Sequence, residues 1–147
     1  LSRQKVPYIN PDNSKRNKCE QGAYEIKLTS HESNVTLIAS GTEVDLALKV
    51  QDKLKENNIQ SKVISMPCME LFDRQSKKYR EDLIEEDSLV VTLEAGSIIS
   101  WQKYTKNKGL NLGIDEFGES APYKEVYDHF NLSEEKIVNF IQKKLRE

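Results

Sequence analysis

The chain has 147 residues, the length of one ordinary domain, and its 22 basic and 24 acidic residues give a net charge of −2. This balance provides no clustered basic surface of the kind that nucleic-acid binding requires. No apolar run approaches the roughly 18 residues of a membrane span. The N-terminus shows no export signal, so we expect a cytoplasmic protein whose two cysteines, Cys19 and Cys68, stay reduced.

The first half of the chain predicts a linker followed by a β-α-β unit. Two prolines and three asparagines without periodicity indicate an exposed linker, and an alternating segment then predicts a half-buried strand. An apolar run predicts a central strand, and apolar residues three or four apart predict a helix. The segments are the linker 5–21, the strands 24–28, 35–39 and 60–66, and the helix 43–57. The strands on either side of the helix should be parallel.

The second half continues the alternation of helices and strands. Asp73 is predicted to cap a helix that runs to about residue 84, and Ser133 is predicted to cap the last helix. The other predicted elements are the strands 88–93 and 110–114, a helix after Ser97 with Ile98, Trp101 and Tyr104 on one face, and a helix from Pro122 to about 129. This order indicates a three-layer α/β/α sandwich around a mostly parallel sheet.

Ligands of open α/β sheets lie beyond the carboxyl ends of the strands. Three segments are predicted at that edge, namely 40–43, 66–70 and 94–97. Ser40, Gly41 and Thr42 offer backbone N–H groups and two hydroxyls at a helix start, so they form a candidate anion-binding or regulatory rim. A phosphate-loop lysine is missing, and the favoured structural interpretation is a tight turn with a capping box that ends at Glu43.

The remaining candidate residues do not assemble a catalytic site in the sequence. Glu94 follows a strand without a second carboxylate or histidine to partner it, so a buried or hydrogen-bonded carboxylate is favoured. Cys68 has no nearby base, and His31 and His129 are predicted to be solvated. Trp101 is predicted to lie in the core or an interface, and the cysteines and histidines lack the spacing of a zinc site.

Several motifs strongly resemble the C-terminal domain of transketolase. They are Ser65–Gln75 (SMPCMELFDRQ) with Tyr79-Arg80, Ile38–Val44 (IASGTEV), Leu93–Gly96 (LEAG) with Trp101, and Gly113–Pro122 (GIDEFGESAP). The resemblance extends from Gly22 onward. It implies a sheet of five strands with one antiparallel edge strand, which residues 24–28 would supply. Residues 1–21 would then be the tail of a preceding pyrimidine-binding domain with a linker, and residues 22–147 the transketolase C-terminal domain.

The resemblance also implies an activity for the longer protein. Transketolases transfer a two-carbon ketol unit from a ketose phosphate to an aldose phosphate in the pentose phosphate pathway. They work as homodimers with thiamine diphosphate and Mg²⁺ or Ca²⁺, held by domains that precede this one. The motif Leu1–Gln4 (LSRQ) assigns substrate-phosphate binding to Arg3, and a guanidinium suits phosphate. The chain itself should scaffold the dimer and bind no cofactor. Because it begins at Leu1, we expect it to be a fragment.

Two alternatives stay open at this point. The domain could act as an anion- or nucleotide-sensing or docking module through the rim at residues 40–42. It could also belong to another thiamine diphosphate enzyme, such as deoxyxylulose-phosphate synthase or the β subunit of pyruvate dehydrogenase. The motifs FGESAP and SMPC favour transketolase among these enzymes.

Overall fold

The computed structural model of the protein describes residues 5–9, 18–26, 33–106 and 108–147. Arg3, His31 and the central part of the predicted linker lie outside the described residues. Within the described ranges, no helix is long and apolar enough to cross a membrane.

The five strands form one sheet in the order β1-β3-β2-β4-β5. They are β1 (Tyr24–Glu25), β2 (Val35–Ala39), β3 (Ser61–Ser65), β4 (Leu89–Leu93) and β5 (Leu110–Leu112). Four strands are parallel to their neighbours, whereas β1 pairs with β3 in the antiparallel direction. The mixed five-stranded sheet with an antiparallel edge strand is therefore confirmed. β5 is shorter than predicted, and residues 27 and 28 of the predicted edge strand lie outside the described residues.

Helices cover both faces of the sheet. They are α1 (Glu43–Glu56), α2 (Met69–Asp73), α3 (Lys77–Leu83), α4 (Gln102–Thr105), α5 (Tyr123–His129) and α6 (Glu134–Lys144), and a 3₁₀ turn spans Lys18–Gln21. Leu37 lies in the core cluster that α1 and α6 cover, whereas Ile38 lies in the cluster formed with α2, α3 and α4. Successive side chains of a strand point to opposite faces, so a continuous apolar run such as β2 serves both cores. The three-layer sandwich is confirmed.

Gly22 packs directly against the backbone at the start of α2. Its backbone has a φ of +80°, and a Cβ atom there would lie 2.2 Å from the backbone nitrogen of Phe72. The Gly22 carbonyl accepts a hydrogen bond from the N–H of Cys68 at 3.0 Å. A residue with a side chain fits neither the backbone conformation nor the space, so this packing requires glycine.

Three predicted details of the helices are wrong. Asp73 ends α2 rather than capping a long helix, and its carboxylate is bound by Lys103 and Tyr104 instead of capping a helix start. Ser76 caps α3 instead, and its hydroxyl accepts a hydrogen bond from the N–H of Tyr79 at 3.2 Å. The helix expected directly after Ser97 forms only from Gln102 to Thr105. Pro122 precedes α5 as its cap rather than occupying its first turn.

Candidate functional site

The carboxyl ends of β2, β3 and β4 meet at one edge of the sheet. Ala39 is aligned with Ser65 on one side and with Leu93 on the other, so the segments that follow the three strands leave the sheet side by side. The N–H of Met66 donates to the carbonyl of Ala39 at 2.9 Å. The structure thus brings together the three segments that the sequence predicts at this edge.

The rim at residues 40–42 is a tight turn, but the predicted capping box is not formed. Gly41 has a φ of +55°, and Thr42 precedes α1 without a capping hydrogen bond from its side chain. The Thr42 hydroxyl instead donates to Oε1 of Glu43 at 2.6 Å. Glu43 and Asp45 occupy the first turn of α1. Their negative charge opposes the binding of an anion at this helix start, which counts against the rim as an anion site.

Glu43 is the buried charged group at this edge. Only 5% of its surface is exposed, and the hydroxyl of Tyr127 on α5 donates to its Oε1 at 2.5 Å. With the Thr42 hydroxyl, two donors satisfy one buried carboxylate oxygen. Buried charges are tolerated when they are hydrogen-bonded in this way. Sequence reasoning missed this contact because 84 positions separate Tyr127 from Glu43.

Glu94 has a carboxylate neighbour that the sequence did not reveal. Partial burial and the negative charge of Glu43 raise the pKa of Glu94 above its ordinary value, while a hydrogen bond with Trp101 opposes this effect. Sequence reasoning missed Glu43 as a neighbour, because α1 begins beside the end of β4, whereas the partial burial of Glu94 and its hydrogen bond with Trp101 agree with the favoured structural interpretation. Trp101 is 3% exposed and lies in the core, as predicted.

The remaining predicted candidates do not gather around these carboxylates. The thiol of Cys68 lies 3.5 Å from Oε2 of Glu70. His129 is exposed at the end of α5, and its ring packs against Phe130 with the centroids 4.8 Å apart. In the described ranges, no three His, Cys, Asp or Glu residues are grouped so that they could hold a metal ion. The carboxylates of Glu43 and Glu70 are thus held by hydrogen bonds within the fold.

Two loops at this edge are joined and present apolar side chains to solvent. The N–H of Ile98 donates to Oδ1 of Asp115 at 3.0 Å. At Gly113, a Cβ atom would lie 2.5 Å from Cγ2 of Ile98, so the loops touch without room for a side chain. Beyond this contact, Ile99 is 74% exposed and Phe117 is 97% exposed. Apolar side chains as exposed as these mark an interaction surface where they form a contiguous patch.

The comparisons with known proteins agree on one family. The model of the transketolase-like C-terminal domain matches residues 22–133. The transketolase of Bacillus subtilis is 37% identical over 97% of this chain, which covers 22% of that protein. A solved transketolase structure from Campylobacter jejuni is 36% identical, has a TM-score of 0.78, and is matched over 90% of this chain and 20% of its own.

A further solved structure has the same fold. It is named as a split-gene transketolase in the form of an inactive β4 tetramer, and it superposes with a TM-score of 0.73 at 23% identity. The match covers 98% of this chain and 48% of that one. The chain spans about a fifth of the length of curated relatives such as the Bacillus subtilis enzyme. By its family-model match, its relatives and its fold, the chain belongs to the transketolase family as a transketolase C-terminal domain.

Proposed function

We propose that the complete protein is a transketolase that moves a two-carbon ketol unit from a ketose phosphate to an aldose phosphate in the pentose phosphate pathway. The observation that carries this proposal is the family match over residues 22–133, supported by relatives named transketolase. In this proposal, residues 22–147 form the supporting C-terminal domain and residues 1–21 the tail of the preceding domain with the linker.

Thiamine diphosphate with Mg²⁺ or Ca²⁺ supplies the chemistry of this reaction, and the carboxyl edge does not fit that cofactor. Hard divalent cations require several oxygen ligands, whereas no suitable cluster occurs among the described residues. Glu43 and Glu94 are also neighbouring carboxylates at this edge, and such groups do not suit the binding of a diphosphate. We therefore assign the cofactor to other domains of the complete protein and derive no catalytic step from this chain.

Arg3 is proposed to bind the substrate phosphate in the complete protein. The proposal rests on its place in the motif LSRQ and on the forked donors of a guanidinium, which pair with two phosphate oxygens at once. Arg3 lies outside the described residues, so its proposed role in phosphate binding rests on the resemblance alone.

The domain is also proposed to contribute to a homodimer through Ile99 and Phe117. These side chains are exposed on two loops that hydrogen bonds hold together, so the surface is presented by a fixed backbone. The similar split-gene chain forms a β4 tetramer that is inactive, which is consistent with a part that assembles but does not catalyse. Burial of an aromatic side chain against a second subunit would remove its exposed area from water.

The activity is tested by assaying the complete encoded protein for ketol transfer between a phosphorylated ketose and a phosphorylated aldose. Thiamine diphosphate and Mg²⁺ are included, and a parallel sample without the cofactor is the control. We expect cofactor-dependent formation of the two-carbon-extended sugar phosphate. A complete, folded protein that forms no such product with any pair of these sugars would contradict the proposed function.

The dimer contact is tested by sedimentation equilibrium of the complete protein with Phe117→Ser and Ile99→Ser. We expect both changes to weaken association, because each removes apolar area from the proposed interface. Leu145→Ser is the matched control, since Leu145 is 41% exposed and lies near Gly109 at the opposite edge of the sheet. Equal association constants for all three variants and the unchanged protein would show that this surface is not the interface.

A further inference from the structure

The groove between α3 and α4 contains a cavity of about 390 Å³ on the face of the sheet that these helices cover. Its volume lies in the range of small-molecule sites, about 300–1,000 Å³. The apolar part of its wall comes from Phe72, Ile84 and Tyr104. The charged part consists of four cations and two carboxylates: Lys77, Arg80, Lys103, Lys106, Asp73 and Glu81.

This excess of positive charge distinguishes the groove from four other cavities of the domain. The cavity between α1 and α5 has three lysines and three carboxylates in its wall. The cavity beside the amino ends of β2 and β4 has one lysine and four carboxylates. Two further cavities have no excess of cations either. On an acidic protein with a net charge of −2, the groove therefore has a local charge opposite to that of the whole.

The carboxylates of the groove are already engaged. Asp73 is bound by the ammonium group of Lys103 and accepts a hydrogen bond from the hydroxyl of Tyr104 at 3.0 Å. Burial alone would raise the pKa of Asp73, but these hydrogen bonds hold it below the ordinary value. Glu81 lies 3.6 Å from the ammonium group of Lys77 in an exposed pair. Exposed pairs contribute little and are readily exchanged for another partner.

Arg80 is the cation of the groove that is least engaged. Its charge helps to lower the pKa of Asp73, but its guanidinium forms no hydrogen bond or close ion pair with any group in the described part of the chain. Lys106 lies 3.3 Å from Glu86 in a pair whose side chains are both mostly exposed. Arg80 on α3 and Lys106 after α4 thus offer donors from both walls of the same cavity.

We propose that this groove binds a phosphate group, either as free phosphate or as a small phosphomonoester, with Arg80 as the main contact. The planar guanidinium donates two parallel hydrogen bonds to a phosphate, and the nearby lysines add positive charge. The apolar wall formed by Phe72, Ile84 and Tyr104 accommodates the carbon part of an ester. The site is separate from the carboxyl edge and does not depend on the transketolase activity.

The proposal is tested by titrating the chain with inorganic phosphate and with glycerol 3-phosphate at constant ionic strength, following amide shifts by NMR. We expect saturable shifts at residues 77–80 and 103–106. Arg80→Gln should weaken binding at least about tenfold, the loss expected for a charge-assisted hydrogen bond. Arg74→Gln should leave binding unchanged, because Arg74 is also exposed but does not line the cavity. Tighter binding of the ester would identify a phosphorylated metabolite, whereas equal binding would identify free phosphate.

Three results of this titration would overturn the proposal. Shifts that sodium chloride reproduces at the same ionic strength would indicate general screening rather than a site. Equal affinities for Arg80→Gln and the unchanged chain would remove Arg80 as the contact. Lys77→Gln serves as a second variant if Arg80→Gln fails to fold by circular dichroism, and it should weaken binding by a smaller factor. An unchanged affinity in that variant would also contradict the proposed site.

Discussion

The hydroxyl of Tyr127 donates a hydrogen bond of 2.5 Å to the buried carboxylate of Glu43, and this contact ties α5 to the first turn of α1. The loop that presents Phe117 leads directly into α5. The carboxyl edge is therefore connected to the proposed interface through a carboxyl group that is only 5% exposed.

The first prediction concerns this contact. Tyr127→Phe removes one of the two hydroxyls that donate to Glu43, so we expect the free energy of unfolding to fall by about 1–3 kcal/mol. Urea denaturation followed by circular dichroism measures the change. Tyr123→Phe on the same helix is the control, since Tyr123 is 51% exposed and its hydroxyl forms no hydrogen bond with the described residues, although it lies near Lys49. Equal losses in both variants would show that the contact does not stabilise the fold.

The second prediction concerns the pH dependence of stability at Glu94. Burial and the charge of Glu43 raise the pKa of Glu94 in the folded chain, so the folded state holds this proton to a higher pH than the unfolded state does. The stabilisation is fully present below the ordinary value of 4.5 and is lost as the pH rises through the raised value.

Glu94→Gln should abolish this loss. We expect the unchanged chain to become less stable relative to Glu94→Gln as the pH rises from about 4 to 7, measured by urea denaturation at each pH. Glu119→Gln, the same substitution in an exposed loop, is the matched control. If the difference in unfolding free energy between the unchanged chain and Glu94→Gln does not vary over this pH range, the pKa of Glu94 is not raised by its surroundings.

The third prediction uses two glycines of one loop region. Gly113→Ala places a Cβ atom 2.5 Å from Cγ2 of Ile98 and 2.7 Å from the carbonyl oxygen of Gly96, so the two loops must separate. We expect a loss of about 1–3 kcal/mol in unfolding free energy. Gly118→Ala meets no atom within 4 Å and should change stability by less than about 0.5 kcal/mol. Comparable effects of the two substitutions would show that the loops are not in close contact.

The fourth prediction concerns Arg3 in the complete protein. Arg3→Ala should mainly raise KM for phosphorylated sugars with little change in kcat. A contact with a phosphate far from the reacting carbon stabilises the bound substrate and the transition state to a similar extent. Steady-state kinetics with phosphorylated and unphosphorylated ketoses measure the effect, which should be absent for the latter. An unchanged KM for the phosphorylated sugar would remove the proposed role of Arg3.

Much of the fold can be predicted from the sequence because its signals are local. The apolar run 35–39 identifies a strand buried on both faces, and the spacing of Val44, Ala47, Val50 and Leu54 identifies the buried face of α1. In the last helix, not every apolar residue at helical spacing is buried. Ile137 and Ile141 are buried, whereas Phe140 and the following Leu145 are 38% and 41% exposed.

Less of the candidate site could be predicted from the sequence. The strand ends predict which segments share the carboxyl edge, but they do not show which side chains contact one another there. Glu43 matches a capping-box pattern, yet its carboxylate accepts hydrogen bonds from Thr42 and Tyr127. Long-range contacts between polar side chains leave no periodic signal in the chain. The groove at Arg80 could not be predicted for the same reason, because its charged residues come from α3 and α4 and meet only in the folded chain.

The most direct test of the supporting role is ketol transfer by purified residues 1–147 supplied with thiamine diphosphate, Mg²⁺ and a pair of sugar phosphates, measured beside the complete protein. We expect turnover by the complete protein and none by residues 1–147. Ketol transfer by residues 1–147 alone would show that the reactive groups lie within this chain and would contradict its assignment as a scaffold.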